Sequence, residues 1–433
     1  MSWRDEIEPA RMTRLAVVAP RRHLDEALAA VAGLGVVEPD LGLLEASGRA
    51  PDDASSAPLD AVGEAALQRG DVAALVGWAP ESELTTLAEA LAPFGASAVR
   101  LGRPKGVDPP TLLRAKGPTK AFDPVVETYS TVPYADLNPS LLAGLAYVAM
   151  FGMMFPDVGE GALVAAAGAF LLSKRLNPSG RFRAGGPFVL GAGLSSMGFG
   201  FAFGEAFGPT GLVPTLWERP LSDPTGLLLV SVAIGAGLLA VSYVLAVLNR
   251  LREGGAAFAV LALPGLAGAS LYLGLALGGL GWIRHLPALL ATGGVLAGLG
   301  AAAAFTGLYL QAGGRASGVA QASVELFDGV VRLGTNTISF ARLAAFGLTH
   351  AALGQVVWRG TTLLWHRGPL DAVLAVGLFA VGTSFCIALE GLVAAVQALR
   401  LEYYELFSRI FVGQGRPFRA WHPPLALTKE NPC

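Results

Sequence analysis

The stretch Asn336–Val357, NTISFARLAAFGLTHAALGQVV, is an apolar helix pattern with an arginine, Arg342, at its centre. A guanidinium at the middle of a membrane helix costs about 2.5–3.5 kcal/mol on insertion scales. An intramembrane charge of this kind is a functional hypothesis by default.

The rest of the chain supports a membrane setting. Of 433 residues, 53% are hydrophobic and 15% charged, against roughly 25% charged in soluble chains. Residues 1–130 are of mixed composition, whereas 137–412 hold apolar runs of about 20 residues, the length that spans a bilayer core. Eight spans can be placed, at 137–155, 158–173, 187–207, 225–248, 256–281, 287–311, 319–360 and 368–412. Basic residues follow the even-numbered spans: Lys174, Arg175, Arg181 and Arg183, then Arg250 and Arg252, then Arg315, then Arg416 and Arg419. The positive-inside rule therefore puts both termini in the cytoplasm, although Arg219, Arg284, Arg359 and Arg367 fall on the other side. MSWRDEIEPARMTRL lacks the apolar core of a signal peptide, which also keeps the first segment inside. Cys386 and Cys433 do not suggest a disulfide framework.

The last two patterns cover roughly 40 residues each, about 60 Å of helix against a hydrocarbon core of about 30 Å. Such helices must incline steeply or project from the bilayer. Glycine-rich runs such as GAGLSSMGFGFAFGEAFG follow no strand, so close helix packing accounts for them better than dinucleotide binding.

Ahead of the spans, TRLAVVAP, RHLDEALAAVAGLG and VVEPD read as strand, helix, strand. VAALVGWAP, ESELTTLAEALAPFG and SAVRL repeat that order, and GRAPDDASSAP between them reads as a loop. Two β-α-β units predict a small α+β lobe of split type over residues 1–130, followed by a helical membrane domain over 131–433. No Gly-Lys dipeptide, HExxH or CxxC occurs. A P-loop is thereby excluded, no cofactor or metal is expected, and the lobe reads as a docking module. A net charge of −2 without a basic block gives no reason to expect nucleic acid.

Polar residues concentrate on the last two long helices. The seventh carries Glu325, Asp328, Arg332, Asn336, Ser339, Arg342 and His350; the eighth carries Glu390, Gln397, Arg400, Glu402 and Glu405. Glu325, Arg332, Glu402 and Glu405 lie near expected helix ends, where solvation or snorkelling explains them. His350 also fits a packing histidine, and Arg342 or Arg400 could form structural pairs with Asp328 or Glu390. Glu390 and Gln397, seven apart, share a helix face; Ser339 and Arg342, three apart, are surface neighbours. Asp328 and Arg342, fourteen apart, share a face at about 20 Å separation along the axis.

These residues, in their order, resemble the membrane a subunit, or subunit I, of rotary V-type and A-type ATPases. GWAPESELTTLAEAL resembles the family's GW-P element. PPTLL, AFDPVVETYSTVPYADLNPS and FGMMFPDVGEG resemble its approach to the first span and its FGMMFGDVGHG-type turn. FGEAFG, SFARLAAFGLTHA and LEGLVAAVQALRLEYYELFSRIFVGQGRPFRAW resemble its later blocks. The resemblance implies that Arg342 is the essential arginine facing a rotor ring and Arg400 the second arginine. Glu390 and His350 would line ion half-channels, Ser339 would be the serine of the arginine motif, and Asp328 an acidic position. Departures are Gln397 for histidine, Val393 for serine, and Phe340-Ala341 for Tyr-Leu. The family's long coiled-coil arms, usual between the two β-α-β units, are missing, because only residues 41–71 separate them. The implied protein is a non-catalytic, ion-translocating stator subunit in the cell membrane. Its partners would be a proteolipid rotor ring, peripheral and central stalk subunits, and lipid. The competing expectation is a stand-alone transporter or an assembly or regulatory factor.

Overall fold

The computed structural model describes residues 8–40, 57–104, 107–113, 126, 131–173, 183–365, 369–410 and 415–423. Most of the predicted GRAPDDASSAP loop lies outside these residues, as do Lys174, Arg175, Arg181, Arg367, Cys433 and all of 121–130 except Val126. The chain divides into two compact units, one of residues 1–114, 130–138 and 413–433, the other of 115–129 and 139–412.

In the first unit, β1 (Met12–Pro20), α1 (Leu24–Leu34) and β2 (Glu38–Pro39) precede the short α2 (Leu59–Ala65) and β3 (Leu67–Arg69). β4 (Val72–Pro80), α3 (Leu84–Leu91) and β5 (Ser97–Arg100) complete it. All strand pairs are antiparallel, in the order β2-β4-β1-β5, with β3 also on β4. The two β-α-β units interleave, which is the split arrangement expected from the sequence. Alternation along β1 turns Leu15 and Val17 into a core with Leu28, Val31, Leu75, Leu87 and Leu91. Gly77 lies so close to β2 that a Cβ there would stand 2.6 Å from the Glu38 carbonyl oxygen, which explains the glycine of the GW element.

The C-terminal GRPFRAW motif belongs to this unit. Trp421 is fully buried, its backbone N–H donates to Val37 O (2.9 Å) and its indole N–H to Ala57 O (2.9 Å). Arg416 pairs with Glu38 at 3.1 Å, and the Arg419 N–H donates to the same carboxylate at 3.0 Å. The segment thus covers the exposed side of edge strand β2, a row of backbone groups that otherwise invites foreign pairing. Burial raises the Glu38 pKa, opposed by the Arg419 N–H and the charges of Arg416 and Arg419.

The second unit is helical. Its helices are α4 (Ser140–Met154), α5 (Val158–Leu172), α6 (Gly186–Phe203), α7 (Pro224–Leu261), α8 (Leu266–Ile283) and α9 (Pro287–Gln311). They are followed by α10 (Ala316–Ser339), α11 (Ala341–Trp365) and α12 (Pro369–Leu401). α12 runs on through a π-helical stretch, Glu402–Phe407, and a closing turn, Ser408–Ile410. Among the described residues, six helical segments are long and apolar enough to cross a membrane, not the expected eight. α4 and α5 have 15 residues each, about 22 Å of helix against a core of about 30 Å.

Two departures shape the site. α7 kinks at Gly255 (φ 78°). The predicted seventh helix, expected unbroken over 319–360, is broken at Phe340. That ring is fully buried, and a Cβ on Gly235 of α7 would stand 2.0 Å from it. Glycines elsewhere serve the predicted close packing: Cβ atoms on Gly193 and Gly274 would stand 2.3 Å from the backbone nitrogens of Ala165 and Ala297.

Candidate ion-translocation site

At the break the Phe340 N–H donates to Thr337 O (3.3 Å) and the Leu343 N–H to Phe340 O (3.0 Å), which puts Arg342 in the first turn of α11. Arg342 Nε donates to Ser339 O at 3.1 Å, so the guanidinium caps the carbonyl end of α10, where a cation is favoured. Arg342 Nη2 donates to Glu405 Oε1 at 2.6 Å, a short charge-assisted bond. Arg342 Nη1 is buried and finds no partner among the described residues.

Glu405 corrects an expectation. Sequence reasoning placed Glu402 and Glu405 at a solvated helix end, yet they are 1% and 5% exposed. Both lie in the π-helical stretch, whose wider turn departs from the α-helical register. The Ser339 side chain and the charge of Arg400 also bear on the Glu405 carboxylate. Arg400 itself is exposed, and Gln397 is partly buried with its Oε1 unpartnered.

Asn336 joins this end of the site. With its amide oriented to satisfy both atoms, its nitrogen donates to Arg332 O (3.1 Å) and its oxygen accepts from Arg409 (3.2 Å). Asp328 does not join it: it pairs with Arg332 one turn along α10 at 2.7 Å, and both side chains are more than half exposed. The pairings weighed for Arg342 and Arg400 with Asp328 or Glu390 therefore give way to Arg342–Glu405.

A second constellation surrounds His350, eight residues beyond Arg342 and so about 12 Å along α11. His350 Nδ1 lies 2.6 Å from Glu390 Oε2, with side chains 3% and 11% exposed. The Phe155 ring packs on the imidazole, centroids 4.8 Å apart. Glu160 and Asp157 also act electrostatically on His350, and His350 on Glu205. His350 Nε2, Glu390 Oε1, Glu160 Oε2 and Glu205 Oε2 are buried without partners among the described residues. Buried polar atoms normally find partners, ordered water included, so these four atoms mark a place where ordered water would complete the hydrogen bonding. Glu160 and Glu205 were missed as site residues, although both sit in motifs read from the sequence, FGMMFPDVGEG and FGEAFG. Among the described residues, no group of three His, Cys, Asp or Glu side chains is placed to hold a metal ion.

The comparisons with known proteins agree with this architecture. The family model described as V-type ATPase 116kDa subunit family matches residues 66–192. An A-type ATP synthase subunit I from Halobacterium salinarum is 26% identical over 391 aligned residues, covering 75% of this chain and 53% of its own length. One from Aeropyrum pernix is 27% identical, covering 73% and 51%, and one from Pyrococcus horikoshii 25%, covering 82% and 54%. The chain spans about half the length of these curated relatives. With the family model matched from the second half of the lobe into the first helices, relatives aligned along most of its length, and six described helical segments long and apolar enough to cross a membrane, the chain is similar to the V-type ATPase 116kDa subunit family and to subunit I of A-type ATP synthases.

Proposed function

We propose that this chain is the stator membrane subunit of a rotary ATPase and carries ions past a rotor ring. The observation that carries the reading is Arg342: a permanent cation among apolar helices, anchored by Ser339 and Glu405, with a spare guanidinium nitrogen. α12 contributes an apolar stripe of exposed residues, Leu374, Leu378, Val381, Phe385, Leu389, Leu392 and Val396, suited to a ring of partner helices.

A rotor carboxylate must be neutral while it faces lipid, whether protonated or loaded with Na⁺. Beside Arg342 its charged form is favoured and its ion is released. Arginine does not give up its own proton at accessible pH, so it separates two ion paths without bridging them. His350, Glu390, Glu160 and Glu205 serve one path. Asn336, Gln397 and Arg400 serve the other path, and Asp328 with Arg332 lies further along α10. Both termini and the α+β lobe lie on the cytoplasmic side, where the lobe docks stalk subunits.

The test is Arg342→Ala in the assembled complex reconstituted into vesicles. ATP-driven ion uptake should vanish while the complex still assembles with its ring. Undiminished uptake would refute the reading, and a chain that never co-purifies with a proteolipid ring would favour a stand-alone role.

A further inference from the structure

The carboxyl groups around His350 sit on segments distant in sequence, and one side chain holds them together. Asp157 is fully buried and caps α5: its Oδ1 accepts the Glu160 N–H at 2.9 Å. The same oxygen accepts the Phe207 N–H at 2.8 Å, and Oδ2 accepts the Gly208 N–H at 2.8 Å. The Val158 N–H donates to Glu205 O at 3.0 Å, and the Ser196 hydroxyl donates to Phe155 O and Asp157 O.

The loop held in this way is strained. Phe207 has φ 53°, a left-handed conformation that side-chain-bearing residues adopt at a cost. Its ring packs over Gly159, where a Cβ would stand 2.3 Å away, and meets Phe379 of α12 at 6.1 Å between centroids. Gly208 lies against Gly354 of α11, one turn beyond His350, where a Cβ on Gly208 would stand 2.9 Å from the Gly354 oxygen. Strain at a functional site persists when its surroundings over-determine it, and here Asp157 supplies two of the bonds that do so.

We infer that Asp157 is a positioning residue: it clamps the strained Phe207–Gly208 loop onto the start of α5 and so fixes Glu160 and Glu205 around His350. Its two oxygens accept three backbone N–H groups, those of Glu160, Phe207 and Gly208, and so tie the loop to the start of α5. The functional part of this inference rests on the ion-path reading above; the clamp itself does not.

The experiment uses the full chain in lipid nanodiscs and, in parallel, the assembled complex in vesicles. Asp157→Asn replaces one acceptor oxygen with a donor that faces an N–H. Amide exchange at Phe207 and Gly208 should accelerate about tenfold or more, the loss expected for a charge-assisted bond, while α8 and α9 keep wild-type protection. Asp157→Ser, which keeps an acceptor for the Glu160 N–H but cannot reach both loop amides, gives the same readout if the asparagine variant does not fold. Wild-type exchange at the loop in either variant overturns the clamp. In vesicles, transport should slow in both variants as Glu160 and Glu205 lose their fixed places; wild-type transport alongside accelerated loop exchange would overturn the positioning role. If the wild-type complex moves no ions, the function proposed above fails, and the exchange result still decides the clamp.

Discussion

Truncating Glu405 to alanine leaves the Arg342 guanidinium without the carboxylate that meets it at 2.6 Å. Breaking a buried pair from one side typically costs 3–5 kcal/mol, because the surviving charge stays desolvated. The Glu405 side chain is 6% exposed but Arg342 is 23% exposed, so water screens part of the loss and about 3 kcal/mol is expected. Glu405→Gln keeps an acceptor in the same place and should cost about half as much, since a hydrogen bond to a charged donor is worth about 1.5–3 kcal/mol. Arg342→Ala strands the carboxylate instead, and the double variant should be less destabilised than the sum of the singles by about 2 kcal/mol. The assay is a double-mutant cycle on unfolding free energies in mixed micelles, with assembly scored separately. A Glu405→Ala variant within about 0.5 kcal/mol of wild type, the range of an uncoupled surface change, would mean that the pair does not hold the arginine.

Two further outcomes concern the lobe. Trp421→Ala should destabilise it by about 3–5 kcal/mol, as for other buried tryptophans, with faster amide exchange across β2 and the facing part of β4; unchanged exchange there would deny the C-terminal segment its structural role. Glu38 supplies the pH test: its pKa is raised in the fold above the ordinary 4.5, so its stabilising contribution is complete below that value and is lost as pH rises through the folded-state value. The stability of the wild-type lobe relative to Glu38→Gln should therefore fall with rising pH, measured by exchange at β2; a rise would reverse the assignment of burial as the dominant cause.

Both β-α-β units could be read from the sequence because strand alternation and helix periodicity agree with the tertiary packing there. Arg342, His350 and Glu390 stood out because charge is rare in apolar helices. Glu405 did not, because its burial depends on a π-helical stretch, and counting by 3.6 residues assumes a regular helix. The break at Phe340 was hidden because phenylalanine carries no helix-breaking signal; only the fold shows its ring pressed against Gly235. Asp328 shares a face with Arg342 by periodicity, yet its partner is local, Arg332 at i+4. Glu160 and Glu205 were hidden because the first turn of α5 and the loop after α6 come together at His350 only in the folded chain.

The seat of Trp421 also bears on the order in which the molecule is made. β1, β2 and β4 leave the ribosome before α4–α12, but the residue that fills their core and shields β2 is translated after α12. Until then the lobe waits with an open strand edge and a vacant core position. Completion of the lobe thus reports that α4–α12 have been synthesised, and a chain stalled part-way through those helices would display an unfinished sheet to proteases and chaperones.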